Sequence, residues 1–406
     1  MFRGGYRMKN VKLLSISLLI LGLLIGASPA ASAKNFSDVP ANHWAIKEIQ
    51  FLSDLEIING YENGSFGVAS PISRADAAIM IARTLNLNTN ERSNLSFEDV
   101  PATHYAYDEI AAVVDEGIFQ KGELFNPSTP LKRGEMAKII VEAFNLQAQE
   151  NVGFKDTTAS HWAYPYISTL VANQITTGYT DLTFKPNQNI TRTEFSVLIA
   201  RVKDDSFKPA LNIVPQHLTG EIFYPKVFSA DSLDTQKINA IFQEHAEIAK
   251  NNLNELIEFG KEYNDPLLEY YTVASDYQVK YNDGQTISVL FNDYEYAGGA
   301  HGMYYYSAYN YDFNKGKVLQ LKDLFKENSN YVSVINAEIK KQINQLKQTD
   351  QYYEITPFES IDPDTDQFYI TSKGIGIFFS LYEYTAYAYG IPEFIIPYSA
   401  FGNMMK

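Results

Sequence analysis

Phe36-Ser-Asp38-Val-Pro-Ala-Asn42-His43-Trp44-Ala45 opens a pattern that returns twice. It reads Phe97-Glu-Asp99-Val-Pro-Ala-Thr103-His104-Tyr105-Ala106 and then Phe154-Lys-Asp156-Thr-Thr-Ala-Ser160-His161-Trp162-Ala163. The copies begin 61 and 57 residues apart. A period of that size marks one supersecondary unit stacked on copies of itself, because a lone helix pair cannot bury its own apolar face. Asn42, Thr103 and Ser160 are N-cap types, so a helix is expected to start at each. Ile46, Ile49 and Leu52, then Ile110 and Val113, then Ile167 and Leu170 recur at helical spacing and predict one shared core.

Each copy holds a second helix start: Ile72-Ser-Arg74-Ala-Asp76, Leu131-Lys-Arg133-Gly-Glu135 and Ile190-Thr-Arg192-Thr-Glu194. Ser73 with Asp76 and Thr191 with Glu194 have capping-box spacing. The arginines run against helix electrostatics, since a cation in the first turn faces the positive end of the macrodipole at a cost of about 0.3–1 kcal/mol. Two arrangements explain them. A guanidinium beside free N–H groups of a helix start receives an external carboxylate or phosphate. Alternatively each arginine bridges to an acid of a neighbouring copy, for example Asp38, Asp99 or Asp156.

Taken together these stretches resemble the S-layer homology family. The likeness rests on FSDVPANHWA, on Gly60-Tyr61 and Gly178-Tyr179 before polar turns, and on Ile190 to Glu194, and it covers roughly Phe36 to Val202. It implies an all-α pseudo-threefold bundle with repeats over residues 34–90, 91–148 and 149–204. Grooves between the repeats would hold an anionic, typically pyruvylated secondary cell-wall polysaccharide of Gram-positive-type bacteria. The resemblance implies as groove residues Arg74, Arg133 and Arg192; Asp38, Asp99 and Asp156; Trp44, Tyr105 and Trp162; and the turns Gly60-Tyr61 and Gly178-Tyr179. The middle copy departs from the pattern: it reads Phe119-Gln-Lys-Gly122-Glu with no Gly-Tyr pair, has Lys132 at the cap, and carries Glu142 where the others carry Arg83 and Arg201. It is expected to be mainly structural, with Arg133 contributing to one groove.

Residues 1–33 read as an export signal, with Arg3, Arg7, Lys9 and Lys12, an apolar run from Leu13 to Ala27, and Ala31-Ser-Ala33 as a cleavage site. That run is shorter than the roughly 20 residues needed to span a bilayer. The cleaved chain would leave the membrane with 29 cations against 48 acids, a net charge of −19. Such a chain is repelled by nucleic acid and anionic lipid, so its arginines must bind an anion locally. There is no cysteine, hence no disulfide and no lipidated cysteine anchor.

A linker is expected over residues 205–217. Beyond it the composition changes, with 22 of the 29 tyrosines lying past residue 210 in runs that alternate with polar residues. Strands around Leu218–Phe228, Leu267–Tyr281, Thr286–Tyr296 and Met303–Phe313, helices over Asp234–Tyr263 and Asn330–Leu346, and three late strands predict one antiparallel sheet in an α+β domain over 218–403. Tyr224 to Val227, Tyr296 to Tyr306, Leu319 to Phe325 and Tyr382 to Phe401 resemble the extracellular domain of RsiV-type anti-sigma factors and PdaC-type peptidoglycan deacetylases. In the former the domain is similar to a receptor for lysozyme. In the latter it accompanies a separate catalytic domain, so the resemblance implies binding.

His301, among glycines, is either an exposed ligand contact or a pin for its own loop. One tyrosine face of Met303–Phe313 must pack on a helix; the other stacks on sugars, meets a protein, or lies under a second helix, which is the expected arrangement. No HExxH, Cys/His cluster, GxSxG, P-loop or dinucleotide fingerprint occurs, and no cofactor or metal is expected. Asp362-Pro-Asp364-Thr-Asp366 lacks the glycine and glutamate of a calcium loop. The sequence therefore predicts a non-enzymatic surface protein, held on wall polysaccharide and presenting a C-terminal binding domain. A wall-modifying enzyme and a lysozyme-binding sensor are the competing readings.

Overall fold

The computed structural model describes residues 35–229, 233–349 and 354–406. The expected export signal lies outside them. Six helices come first: α1 (Ile46–Asp54), α2 (Arg74–Thr84), α3 (Tyr107–Asp115), α4 (Arg133–Ala143), α5 (Tyr164–Ala172) and α6 (Arg192–Lys203). The second helix of each repeat packs on the first helix of the next, α2 on α3, α4 on α5 and α6 back on α1, which closes the bundle around a pseudo-threefold axis. On that axis three backbone bonds form a ring: Ile72 N–H donates to Ile190 O, Ile190 N–H to Leu131 O, and Leu131 N–H to Ile72 O, at 2.9–3.0 Å. One core results, with Ile49, Leu52, Ile110, Val113, Ile167 and Leu170 fully buried in it.

The first helices start later than expected, and with a different cap. Asn42, Thr103 and Ser160 sit in turns preceding the helix, and no side chain caps from those positions. Instead the following histidine turns its Nδ1 onto the helix start, accepting from Ala45 N–H (3.2 Å), Ala106 N–H (3.2 Å) and Ala163 N–H (3.1 Å). The imidazole thus supplies the acceptor that a serine or asparagine normally gives. His104→Ala is expected to lower stability by about 1 kcal/mol, with His104→Asn recovering part of it, as read by urea denaturation.

The second module is α+β, as expected, but contains two sheets. β1 (Leu211–Thr219), β2 (Glu221–Ser229), β3 (Thr272–Asn282), β4 (Thr286–Tyr296), β5 (Met303–Asp312) and β6 (Lys317–Val318) form a sheet in sequence order. All neighbours run antiparallel except β2 and β3, which are parallel. A parallel pair needs a long crossover, and α7 (Gln236–Glu262) supplies it while covering β2 and β3. β7 (Phe368–Ile370), β8 (Gly374–Phe378) and β9 (Glu393–Pro397) make a separate antiparallel sheet backed by α8 (Tyr331–Lys347). This small sheet lies over β4 and β5. Buried Asn310 ties the layers, donating to Phe368 O (2.9 Å) and accepting from Ser288 Oγ (2.7 Å) and Ile370 N–H (3.2 Å). The second tyrosine face is accordingly covered by a sheet and not by a helix, with Tyr306 edge-on to Phe378 at 5.7 Å.

The expected linker over 205–217 is also shorter, because β1 begins at Leu211 and joins the two modules. Val214 is buried in the helical core, while Leu182 of the third repeat is buried in the sheet core. Gly153 N–H donates to Pro215 O (2.8 Å), and a Cβ at Gly153 would stand 2.1 Å from the His217 backbone nitrogen. Gln216 donates to Asn151 O at 2.8 Å, and Lys226 pairs with Glu150 at 2.7 Å. Among the described residues no helix is long and apolar enough to cross a membrane.

Candidate functional site

The acid of each opening turn is spent on the protein's own backbone. Asp38 accepts from the N–H groups of Phe66, Gly67 and Val68 at 2.6–3.1 Å. Asp99 accepts from Phe125 and Asn126, and Asp156 from Phe184 and Lys185, at 2.7–2.8 Å. Partial burial pushes the Asp38 carboxyl up, but those N–H bonds outweigh it and hold it below the usual range. These carboxylates fold each repeat's long loop against its opening turn. They form no ion pair with the arginines, although Asp99 and Asp156 still favour the charge on Arg74 and Arg133 through space.

The N–H groups at the second helix starts are not free either. Arg74 and Ala75 N–H donate to Thr129 and Pro127 O, Arg133 and Gly134 N–H to Gln188 and Pro186 O, and Arg192 N–H to Ser70 O, at 2.8–3.0 Å. These helix-start N–H groups are therefore not available to a ligand, and the guanidinium groups are the donors that remain beside them. Each arginine reaches into the next repeat around the axis. Arg74 Nε donates to Phe125 O and Arg133 Nε to Phe184 O, both at 2.8 Å, whereas Arg192 Nε is buried without an acceptor. The arginines face acids of the neighbouring helix: Arg192 lies 3.6 Å from Asp76 and Arg133 3.6 Å from Glu194, beyond hydrogen-bond length, and Glu135 is the main charge acting on Arg74.

Two of the three arginines adjoin a hollow. The first groove, about 380 Å³, is lined by Gly60, Tyr61, Asp76, Arg83, Tyr105 and Arg192, so all three repeats contribute. Arg192 lies 5.1 Å from the centre of the Tyr61 ring, and the Tyr105 hydroxyl points at Asp76 from 3.5 Å. The second groove, also about 380 Å³, holds Arg74, Phe119, Glu135, Lys138 and Trp162. The middle copy thus forms a hollow without a Gly-Tyr pair. Lys138 restores a cation there, at a position occupied by Ile79 and Val197 in the other copies. Comparing the copies position by position would have exposed it.

In the third copy, Tyr179 packs over Arg133 as Tyr61 packs over Arg192, but it is also tied down by a hydrogen bond. Its hydroxyl donates to Glu194 at 2.8 Å, and Arg133 and Lys185 lie 4.5 and 4.3 Å from its ring centre. Burial, reinforced by Glu194 and opposed by Arg133, pushes the Tyr179 hydroxyl up to about 12, so it remains a donor. Trp44, at the matching position to Tyr105 and Trp162, is 65% exposed; those two are 68% and 52% exposed. Gly60 and Gly178 act through backbone shape, with φ of +70° and +76° and the opening phenylalanine of their own repeat pressed against them.

In the second module His301 pins its loop. Its Nδ1 lies 3.0 Å from Gly302 O, its ring stacks on Tyr387 at 3.8 Å, and the Tyr382 hydroxyl is 3.3 Å from Nε2. Tyr304 and Tyr305 remain 41% and 47% exposed at the end of β5. Sequence reading passed over His245 on α7, which lies 3.1 Å from both oxygens of Asp293 and 3.0 Å from the Tyr309 hydroxyl. No motif spacing announces three residues that meet only through the fold. Among the described residues no group of three or more His, Cys, Asp or Glu side chains could hold a metal ion, and Asp364 pairs with Lys322.

Comparison with known proteins follows the same division. The S-layer homology domain profile matches residues 35–78, 96–137 and 153–196, the deacetylase PdaC profile residues 216–304, and a protein family of unknown function, DUF3298, residues 322–399. The chain is 31% identical over 54% of its length to an S-layer protein of Bacillus thuringiensis subsp. finitimus, covering 26% of that protein. It is 35% identical over 46% of its length to an uncharacterized cell wall amidase of Bacillus anthracis, covering 36% of it. It is 31% identical over 36% of its length to a cellulosome-anchoring protein of Acetivibrio thermocellus, covering 34% of it. The chain therefore spans between a quarter and about a third of the length of these relatives. Its first module consists of three S-layer homology repeats, followed by PdaC-type and DUF3298 segments.

Proposed function

We propose that this chain, with its three S-layer homology repeats, is a cell-surface protein of a Gram-positive-type bacterium. The repeats anchor it non-covalently to a secondary wall polysaccharide bearing acidic, pyruvyl-type substituents, and the second module presents a binding surface. One observation carries this reading: two inter-repeat hollows each set a guanidinium beside an exposed aromatic ring, Arg192 with Tyr105 and Arg74 with Trp162. A planar donor fork suits a sugar-borne carboxylate, and the ring offers a face on which a pyranose stacks. The chain's overall excess of acid disfavours long-range attraction, so retention must come from these contacts.

The protein should co-sediment with purified walls that retain the polysaccharide and stay in the supernatant with walls stripped of it. Removing the pyruvyl groups alone should abolish retention; unchanged retention would assign recognition to the neutral sugars. A second reading, wall modification by the second module, draws on the deacetylase profile over 216–304. Release of acetate from peptidoglycan incubated with the full chain would select it. Capture of lysozyme would select the sensor alternative.

A further inference from the structure

β2 and β3 pair only through Glu221 with Ala274 and Ile222 with Ser275. Beyond those residues β3 has no strand on that side, and residues 177–182 of the third repeat stand beside it instead, leaving a hollow of about 560 Å³ walled by both modules. That volume lies within the ~300–1,000 Å³ usual for small-molecule sites. We infer that it is a binding site for a neutral N-acetylated sugar, held chiefly by its acetamido group. It shares no lining residue with the two inter-repeat hollows.

Unused hydrogen-bonding groups open on it from two walls. On β3, Tyr277 lines the hollow yet is only 4% exposed, and its hydroxyl has no hydrogen-bond partner among the described residues. Unlike the buried Ser275 Oγ, that oxygen is not sealed in the core. Burial pushes the hydroxyl above the ordinary tyrosine range, so it stays protonated and can donate. Leaving such a group unpaired is costly, and a ligand carbonyl would satisfy it. On β1 the free group is the Ile213 main chain. Pro215 faces Pro225 across β1 and β2, and prolines offer no N–H, so this pair and the next-but-one, Ile213 with Val227, are non-bonded pairs of the ladder. Val227 accordingly turns its N–H and C=O to the Asn239 amide, at 2.7 and 2.9 Å. The outward carbonyls flanking Ile213 are used: Leu211 O accepts from Asn282 Nδ2 (3.0 Å) and Pro215 O from Gly153 N–H (2.8 Å). Ile213, between them, lines the hollow with no partner for its own N–H or C=O among the described residues.

A trans secondary amide points its N–H and C=O in opposite directions, which suits a slot with an acceptor on one wall, Ile213 O, and a donor on the other, the Tyr277 hydroxyl. The acetyl methyl then meets Leu182, Leu211 and Val279. Thr180 and Gln278, exposed at the rim, make no hydrogen bonds of their own and suit ring hydroxyls, as does the Ile213 N–H. None of the lining residues is a cation, and Asp181 is occupied by Thr183 N–H (3.2 Å) and Lys185 (2.9 Å), so a neutral ligand is favoured.

Saturation-transfer NMR titrations of the full chain would use methyl N-acetylglucosaminide, with methyl glucosaminide, methyl glucoside and N-acetylalanine methylamide as controls. The N-acetyl sugar is expected to bind, its acetyl methyl receiving the strongest transfer, and each control to bind about tenfold more weakly or worse. Tyr277→Phe should weaken the N-acetyl sugar roughly three- to tenfold, while Tyr270→Phe, 57% exposed just before the far end of β3, should not. Without sugar, Tyr277→Phe should unfold at the same urea concentration as the parent or a higher one, because the hydroxyl makes no bond within the protein. An earlier midpoint would mean that the hydroxyl is already engaged and would overturn the site. So would failure of the N-acetyl sugar to bind, equal binding of the glucosaminide or the glucoside, or equal affinity in Tyr277→Phe, and preference for the alanine amide would overturn its assignment to a sugar.

Discussion

Gly178→Ala is expected to cost about 2–5 kcal/mol, enough to take much of the stability of a small module. Two separate penalties act there. The residue holds φ at +76°, which costs an L-residue about 1–2 kcal/mol. A Cβ would also lie 2.2 Å from Phe154 Cε1 and 2.8 Å from Thr183 O. The ring cannot retreat, because Phe154 is buried 5.7 Å from Phe184 in the common core, and overpacking of such a core costs about 1–3 kcal/mol. Gly64→Ala provides the comparison: φ is +78° there and nothing lies within 4 Å of the added carbon, so only the conformational penalty, about 1–2 kcal/mol, should appear. Urea denaturation of the two variants separates the terms. Equal losses would mean that Phe154 does not press on the turn.

That contrast shows what the sequence discloses. The opening phenylalanines, the Gly-Tyr turns and the apolar period were legible because each performs a local task that recurs in copies. The true cap was not, since Asn42, Thr103 and Ser160 are better cap types than histidine and only backbone geometry moves the helix start to Ile46, Tyr107 and Tyr164. Nor did letters reveal that Asp38, Asp99 and Asp156 hold loops, because an acid beside a turn and an acid awaiting a ligand are written alike. Lys138 was hidden by its solitude in one copy. Separating the two sheets needed the pairing partner of β7, and hydrophobic alternation within a three-residue strand does not specify it.

The anchoring proposal makes its sharpest claim about unequal arginines. Arg192→Ala and Arg74→Ala should each weaken polysaccharide binding roughly 10- to 100-fold, the loss of a charge-assisted contact of about 1.5–3 kcal/mol. Arg133→Ala should leave binding within a few-fold of the parent. Burial does not make this distinction, since Arg133 and Arg192 are 5% and 7% exposed. Both lie under a tyrosine ring, and the difference is in the partners: Arg192 borders the first hollow with an unpartnered Nε, whereas Arg133 Nε donates to Phe184 O and its tyrosine is hydrogen-bonded to Glu194. Removing Arg133 takes away the cation 3.6 Å from half-buried Glu194, which keeps its bonds from Tyr179 and Thr191, so that variant should instead lose stability. Arg192→Ala similarly deprives Asp76 of its partner, so binding must be measured well below each variant's unfolding midpoint. Tyr179→Phe completes the test. It breaks the bond to Glu194 without emptying the space, and it should leave polysaccharide affinity unchanged. If Arg133→Ala abolished retention while Arg192→Ala and Arg74→Ala did not, the open hollows would not be where the polymer binds, and the account built on them would fail.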